Sequence, residues 1–534
     1  MSSATTTLNV KPAESFAGSF SFEKIGLLFA VSFLVLLDGV NGAMCSILKS
    51  YLVGGFSATP DQITWGAIFY YVGKLCMLLL AAKLQDRLGQ RQAFLTASIL
   101  LVLATAAGAF APNYPSFLAV LLIQGCAAGS MIALGQGTLL AIFPRREQPL
   151  VQGVYMLAAV MFPVTVVPAF LGGWAYNVDW RYAYLGITPF GLLGCGWLLL
   201  KRKLLSDSAS PTLFLPVRII LTVSALFAIV YVLEQGSRNR WLEYPPIVWA
   251  ILLAATCISA VAFIETRGGP TLLPYGSFRY ANFTFVMCVV ILAGIAFFGG
   301  AFVISGYAVN VMAYPVSTSG LVQLSGTAFA VGSFLGIGLL LRFTKINPVF
   351  SVLTGMLLFS ISMWRLGLAP SNVNFEGFAA WLTLPGFALG CQLLPLTLLA
   401  LTCLPAKDDV AATGLFNFNR QMGALIGIAW LQTLLEHKTN QNQTIFGNVV
   451  AWTSSNATGY LQATQHALFS YGEQPSYTPA VATALMLREA HRQWASIAFN
   501  GCFECLSVLF LFCFPLVVLA SILTTRFLKP PECQ

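Results

Sequence analysis

Charge is what this sequence has least of. Only 9% of its residues are Asp, Glu, Lys or Arg, against about 25% in soluble domains. No long polar stretch is present to cover the several cores that 534 residues would form in water. A soluble enzyme or binding protein is therefore excluded. Histidine is as scarce: His437, His466 and His491 all fall in one polar segment. That leaves no His/Asp cluster near a membrane face, so a polytopic membrane enzyme is a remote alternative. No G-x-x-x-x-G-K-[ST] occurs, and nucleotide-driven pumping has no support. The net charge of +9 is spread along the chain, which argues against a nucleic-acid partner. Twelve cysteines lie mostly inside apolar runs, where they pack as small hydrophobes. The one C-x-x-C, Cys502 to Cys505, lacks a thioredoxin-like context, and no metal site is expected. The N-terminal residues are polar, so no cleavable signal peptide is expected before the first apolar run.

Apolar residues make up 57% of the chain, and the mean hydropathy is +0.78. This is an all-α polytopic membrane protein. Apolar runs of about the ~20 residues needed to cross a bilayer recur about fourteen times, from 25–47 to 497–525. With the N-terminus inside, 18 Lys and Arg fall on the cytoplasmic side and 8 on the other. The positive-inside rule then places both termini in the cytoplasm. The segment 436–494 reads as a polar external loop whose end, "PAVATALMLREAHRQW", is expected to form a short amphipathic helix.

Few charges lie inside the spans: Asp38, Lys74, Arg420 and Glu504, with Glu234 at an outer end. Such charges usually face a bundle interior or a wet cavity. Asp38 falls about 20 Å from the cytoplasmic face and Lys74 roughly 16 Å below the outer one. In a ~30 Å core a lysine stem bridges that difference. Lys74 therefore either neutralises Asp38 or meets an anionic group on a substrate. Gly125 with Gly129, Gly332 with Gly336, and Gly423 with Gly427 are small-xxx-small pairs expected to pack helices closely.

"AAKLQDRLGQRQAF", residues 81–94, resembles the G-x-L-a-D-R-x-G-R-[RK] signature of the major facilitator superfamily. "LDGVNGAMCSI" (37–47), "QGCAAGSM" (124–131), "VPAFLGGW" (167–174), "WRYAYL" (180–185), "PYGSFRYANF" (274–283) and "FNFNRQMGALIGIA" (416–429) follow in order. Together they resemble the fourteen-helix drug:proton antiporters of the EmrB/QacA type over nearly the whole chain. "LRFTKINP", with Arg342 and Lys345, sits where the second half would repeat the Asp86 loop.

The resemblance implies an architecture. A six-helix bundle at 25–203 and another at 275–525 enclose a midplane site, with two additional helices at 214–265 and cytoplasmic tails at 1–24 and 526–534. The function implied is secondary active export of small organic molecules by alternating access, with proton antiport and a multidrug range. The sequence alternative is a dedicated exporter of an anionic metabolite, such as a carboxylate siderophore, contacted by Lys74 and Arg420. Asp38, and after it Glu504, is the expected proton-coupling group. Asp38, Asn41, Lys74, Gln124, Gln392 and Arg420 are the expected cavity residues. Asp86, Arg87, Gly89 and Arg91 form the conformational-switch motif, and Pro168, Gly172 and Gly173 the fifth-helix motif. Leu121 stands where the family's coupling arginine is found, and Val167 where a glycine precedes Pro168. No cofactor beyond the proton gradient is implied. The expected partners are a small-molecule substrate and the bilayer, with a periplasmic adaptor or outer-membrane channel as a candidate on the 436–494 loop. The chain is expected to act as a monomer in the cytoplasmic (inner) membrane.

Overall fold

The computed structural model describes residues 21–166, 169–170, 178–202, 205, 216–267, 271, 274–344, 346–402, 404, 409–449, 455–470 and 478–527. These form helical elements only, as a bilayer requires of a chain that must satisfy its backbone polar groups internally. Among the described residues thirteen helices are long and apolar enough to cross a membrane. Before the polar segment they are α1 (Phe22–Ile47), α2 (Pro60–Leu88), α3 (Gln90–Ala109), α4 (Tyr114–Ile142), α5 (Gln148–Val166) and α6 (Trp180–Leu200). Then come α7 (Pro216–Gln235), α8 (Pro245–Thr266), α9 (Ala281–Asn310), α10 (Val316–Phe343), α11 (Pro348–Gly367) and α12 (Phe375–Leu401). Two longer helices follow, α13 (Asp409–Val449) and α14 (Thr478–Phe527). α13 is the fourteenth crossing. Asn417, Asn419, Arg420 and Gln421 dilute its hydropathy, yet it is enclosed by α2, α4 and α9. The face at which α1 begins is called proximal below, and the other distal.

Helix ends follow local chemistry. Thr59 caps α2 through a reciprocal pair with Gln62, and Asn113 caps α4 through Ser116, each with a proline in the first turn. Gly89 joins α2 to α3 at φ 81°, a left-handed position that suits glycine.

α1–α6 form one bundle and α9–α14 the other. The two additional helices lie outside both: α7 packs on α2 and α13, while α8 rests on α7. At the distal end Gln235 donates to Thr64 (2.7 Å), Trp241 donates to Thr433 (3.0 Å), and Arg238 pairs with Asp61.

The segment 436–494 departs from the expected loop. α13 runs on to Val449, a further helix spans Ser455–Ser470, and α14 begins at Thr478. The "PAVATALMLREAHRQW" stretch is the distal end of a 50-residue helix. At 1.5 Å per residue this helix is roughly 75 Å long, more than twice the ~30 Å apolar core. Its polar end is supported by the Ser455–Ser470 helix packed on it and by the Asn442 amide donating to the Trp494 carbonyl at 3.3 Å.

Candidate functional site

Close helix approach sets the site. A Cβ on Gly125 would lie 2.1 Å from the Tyr70 carbonyl oxygen, and one on Gly129 2.2 Å from that of Lys74. α4 therefore presses its backbone against α2 at the residues that carry the charge. The other half repeats the device, since a Cβ on Gly294 would lie 2.3 Å from the Arg420 carbonyl and one on Gly423 2.2 Å from that of Ile291. Gly332 and Gly336 do not behave this way: nothing lies within 4 Å of a Cβ at either. That pair was misread as packing because spacing alone does not say which way a helix face turns.

Lys74 and Asp38 meet. The ammonium lies 2.9 Å from Oδ1 of Asp38 and 3.0 Å from Oδ2. The Tyr70 hydroxyl, one helical turn before Lys74, donates to Oδ1 at 2.6 Å. Both charged groups are buried, at 2% exposure for Asp38 and 5% for Lys74. They line a cavity of about 360 Å³ between the bundles, and Arg420 lines it too. Arg420 is 4% exposed, its Nε has no partner, and its Nη1 reaches the Met156 sulfur at 3.4 Å. Tyr71, Ser305, Gln323 and Gln421 add polar atoms, and Phe298, Phe302, Val160 and Pro163 add apolar wall. π-helical turns at Leu157–Met161 in α5 and Ile295–Gly299 in α9 lie along this wall, a placement frequent at functional sites.

On the proximal side the bundles close. The Asn417 amide donates to Gln136 at 2.7 Å, Gln136 to Gln152 at 2.9 Å, and Gln152 to Gln148 at 3.3 Å. Arg342 at the end of α10 pairs with Glu147 at the start of α5, 2.9 Å apart. A Cβ on Gly414 would lie 2.1 Å from the Leu78 carbonyl. The cavity runs from this seal towards the distal ends of α1, α9 and α10, at Ala43, Val309 and Ser319.

Other expected residues lie elsewhere. Asn41 is fully buried and donates to Thr105 on α3 at 2.8 Å. Gln124 is fully buried and donates to the Ala104 carbonyl at 3.0 Å. Both tie helices within the first bundle and are not among the cavity's lining residues. Gln392 is buried in α12, off the cavity wall, with no partner for either amide atom. Glu504 is exposed on α14 beside Gly367, at the distal end of α11. Leu121 is fully buried against Gly66. At the switch motif Asp86 and Arg91 are half-buried and Arg87 exposed around Gly89, while the next residue, Gln90, donates to Thr138 on α4 at 3.0 Å. Pro168, Gly172, Gly173, Val167 and Lys345 lie outside the described residues. The sequence reading missed Tyr70, the amide chain and the Glu147–Arg342 pair. Tyr70 could have been found by its four-residue spacing from Lys74; nothing local marks the others.

Two helical bundles sealed at one face around a charged, half-apolar cavity define a multi-pass membrane transporter. A family model described as the Major Facilitator Superfamily matches residues 28–428, and the chain belongs to that superfamily. It is 24% identical over 407 residues to the multidrug export protein EmrB of Haemophilus influenzae, covering 75% of this chain and 78% of that one. It is 24% identical over 496 residues to the fatty acid resistance protein FarB of Neisseria gonorrhoeae, covering 91% and 94%. The solved partially occluded, inward-open xylose transporter XylE of E. coli superposes with a TM-score of 0.54 at 13% identity, covering 96% and 100%.

Proposed function

We propose that this transporter exports small organic molecules across the cytoplasmic membrane by alternating access, exchanging them for protons at Asp38. The observation that carries the reading is the enclosed Asp38–Lys74–Tyr70 cluster on the wall of a cavity sealed at one face. A proton on Asp38 removes the negative charge that holds Lys74 and changes the field of the whole cavity, since inside low-dielectric protein such terms are large. Neutral and cationic cargo then competes with that proton. The lysine and arginine excess favours a cytoplasmic proximal face, and in that orientation the described state faces outward, ready to release cargo and take up a proton. The name of the EmrB relative, a multidrug export protein, supports the direction and the breadth of cargo. The helices that extend over 436–494 offer a periplasmic adaptor its surface. No cofactor enters the cycle.

The test is Asp38→Asn in reconstituted vesicles. Efflux of a cationic dye driven by a pH gradient should stop, while dye binding persists. Gradient-driven efflux at the wild-type rate would remove Asp38 from the cycle.

A further inference from the structure

Every charged group lining the cavity has a partner of opposite sign except one. Asp38 is taken by Lys74 and by the Tyr70 hydroxyl. Among the described residues Arg420 pairs with no carboxylate, and its buried Nε has no acceptor. The Tyr155 hydroxyl, one residue before Met156 and within electrostatic range of Arg420, is buried and equally without a partner. A guanidinium left enclosed without a direct ion pair is costly, and this one faces a cavity large enough for a small ligand. A structural role would have supplied a carboxylate, as it does for Lys74.

Next to Arg420's cavity, a side pocket opens between α5, α9, α10, α11 and α12. Met161, Phe297, Phe359, Met363 and Leu389 line it, and it shares Val164, Ala301 and Gln323 with the main cavity. The site therefore combines a cationic fork with an adjoining small apolar recess. We propose that Arg420 anchors the acid group of an amphipathic organic anion, a carboxylate or sulfonate whose apolar body reaches this recess. The planar fork of arginine suits such two-oxygen groups better than the point charge of lysine.

The charges also fix how this cargo is driven. Lys74, Asp38 and Arg420 are the charged side chains on the cavity wall, and Tyr70, Tyr71 and Tyr155 the nearby phenols. Bound at Arg420, the anion carries its charge outward on the inside-negative membrane potential, which pushes negative charge out of the cell. This rests on the reading of the chain as an exporter but not on the proton step.

The test compares 2-naphthalenesulfonate with its neutral isostere 2-naphthalenesulfonamide on the full chain. Wild type should bind the sulfonate at least ten-fold more tightly by calorimetry. Arg420→Gln should erase that preference while sulfonamide binding and melting temperature hold, and Arg420→Lys should keep part of it. An unchanged preference in Arg420→Gln, or none in wild type, overturns the anion site. Sulfonate efflux from vesicles should rise with an imposed inside-negative potential and no pH gradient; efflux that needs a pH gradient overturns the drive. Loss of dye transport by wild type would sink the exporter reading separately, leaving the sulfonate result standing.

Discussion

Asn417 on α13 donates to Gln136 on α4 across 2.7 Å, and both side chains are buried. This bond joins one bundle to the other at the sealed face, and through Gln152 and Gln148 it continues to the Phe143 carbonyl at 2.8 Å. An amide chain holds the seal without a charge that would have to be desolvated at each cycle.

Asn417→Leu should therefore open the proximal face. Gln136 would lose an acceptor's partner in a buried position, a loss of about 1–3 kcal/mol. Closure would weaken roughly 5–150-fold. Spin labels across the proximal ends of α4 and α10 should show a new longer distance; an unchanged distribution would mean the close backbone contact of Gly414 with Leu78 seals the face alone.

The partial exposure of Arg342 and Glu147, 21% and 19% for their side chains, makes their pair the weaker latch. Glu147→Gln should shift the same distance distribution less than Asn417→Leu does, and its own shift should shrink at high salt, which screens exposed charges. A larger or salt-independent shift would make this pair the main latch.

Lys74 is paired with Asp38 on the cavity wall. Lys74→Met strands the Asp38 carboxylate, and removing one member of a buried pair typically costs about 3–5 kcal/mol. The melting temperature should fall, and all cargo should suffer alike. The Lys74→Met, Asp38→Asn double variant should recover much of the loss, because replacing both members leaves no bare charge. A sulfonate-specific defect in Lys74→Met would instead make Lys74 a cargo contact.

The crossing helices were legible because the bilayer imposes one length and one composition on each of them. The Asp38–Lys74 pairing followed from depth alone, since two charges at similar depth in a ~30 Å slab have few other partners. Asn41, Gln124 and Gln392 were not legible. A polar residue in a span can face the cavity or a neighbouring helix, and about one residue of rotation decides which. The same rotation hid the open face of Gly332 and Gly336. In 436–494 a helix was expected only at 479–494, which is helical; the rest was missed because polar helices outside the bilayer carry no long apolar stripe.

The α2–α4 seam makes a sharp prediction. Gly129→Ala puts a methyl 2.2 Å from the Lys74 carbonyl, so the helices must part and overpacking should cost about 1–3 kcal/mol. Gly332→Ala meets open space and should be neutral or slightly stabilising, since alanine is the better helix former. Thermal unfolding of the two variants side by side checks this. Equal effects would mean that α4 can retreat without strain.

Orientation is tested at two exposed glycines. Gly459, in the Ser455–Ser470 helix, and Gly276, between α8 and α9, both have open space around a Cβ, so a cysteine at either should leave the fold intact. They lie on opposite faces, because α9 to α13 make five crossings between them. If the charge count reads the topology correctly, a membrane-impermeant maleimide added to intact cells should label Gly459→Cys. It should leave Gly276→Cys unlabelled until the membrane is permeabilised. The buried native cysteines Cys76, Cys195, Cys257, Cys391 and Cys502 should contribute little, since a membrane-impermeant reagent does not reach thiols enclosed among the helices. Labelling of Gly276→Cys in intact cells, with Gly459→Cys protected, would turn the molecule over. The described state would then face the cytoplasm, and the cavity would be poised to load cargo rather than release it.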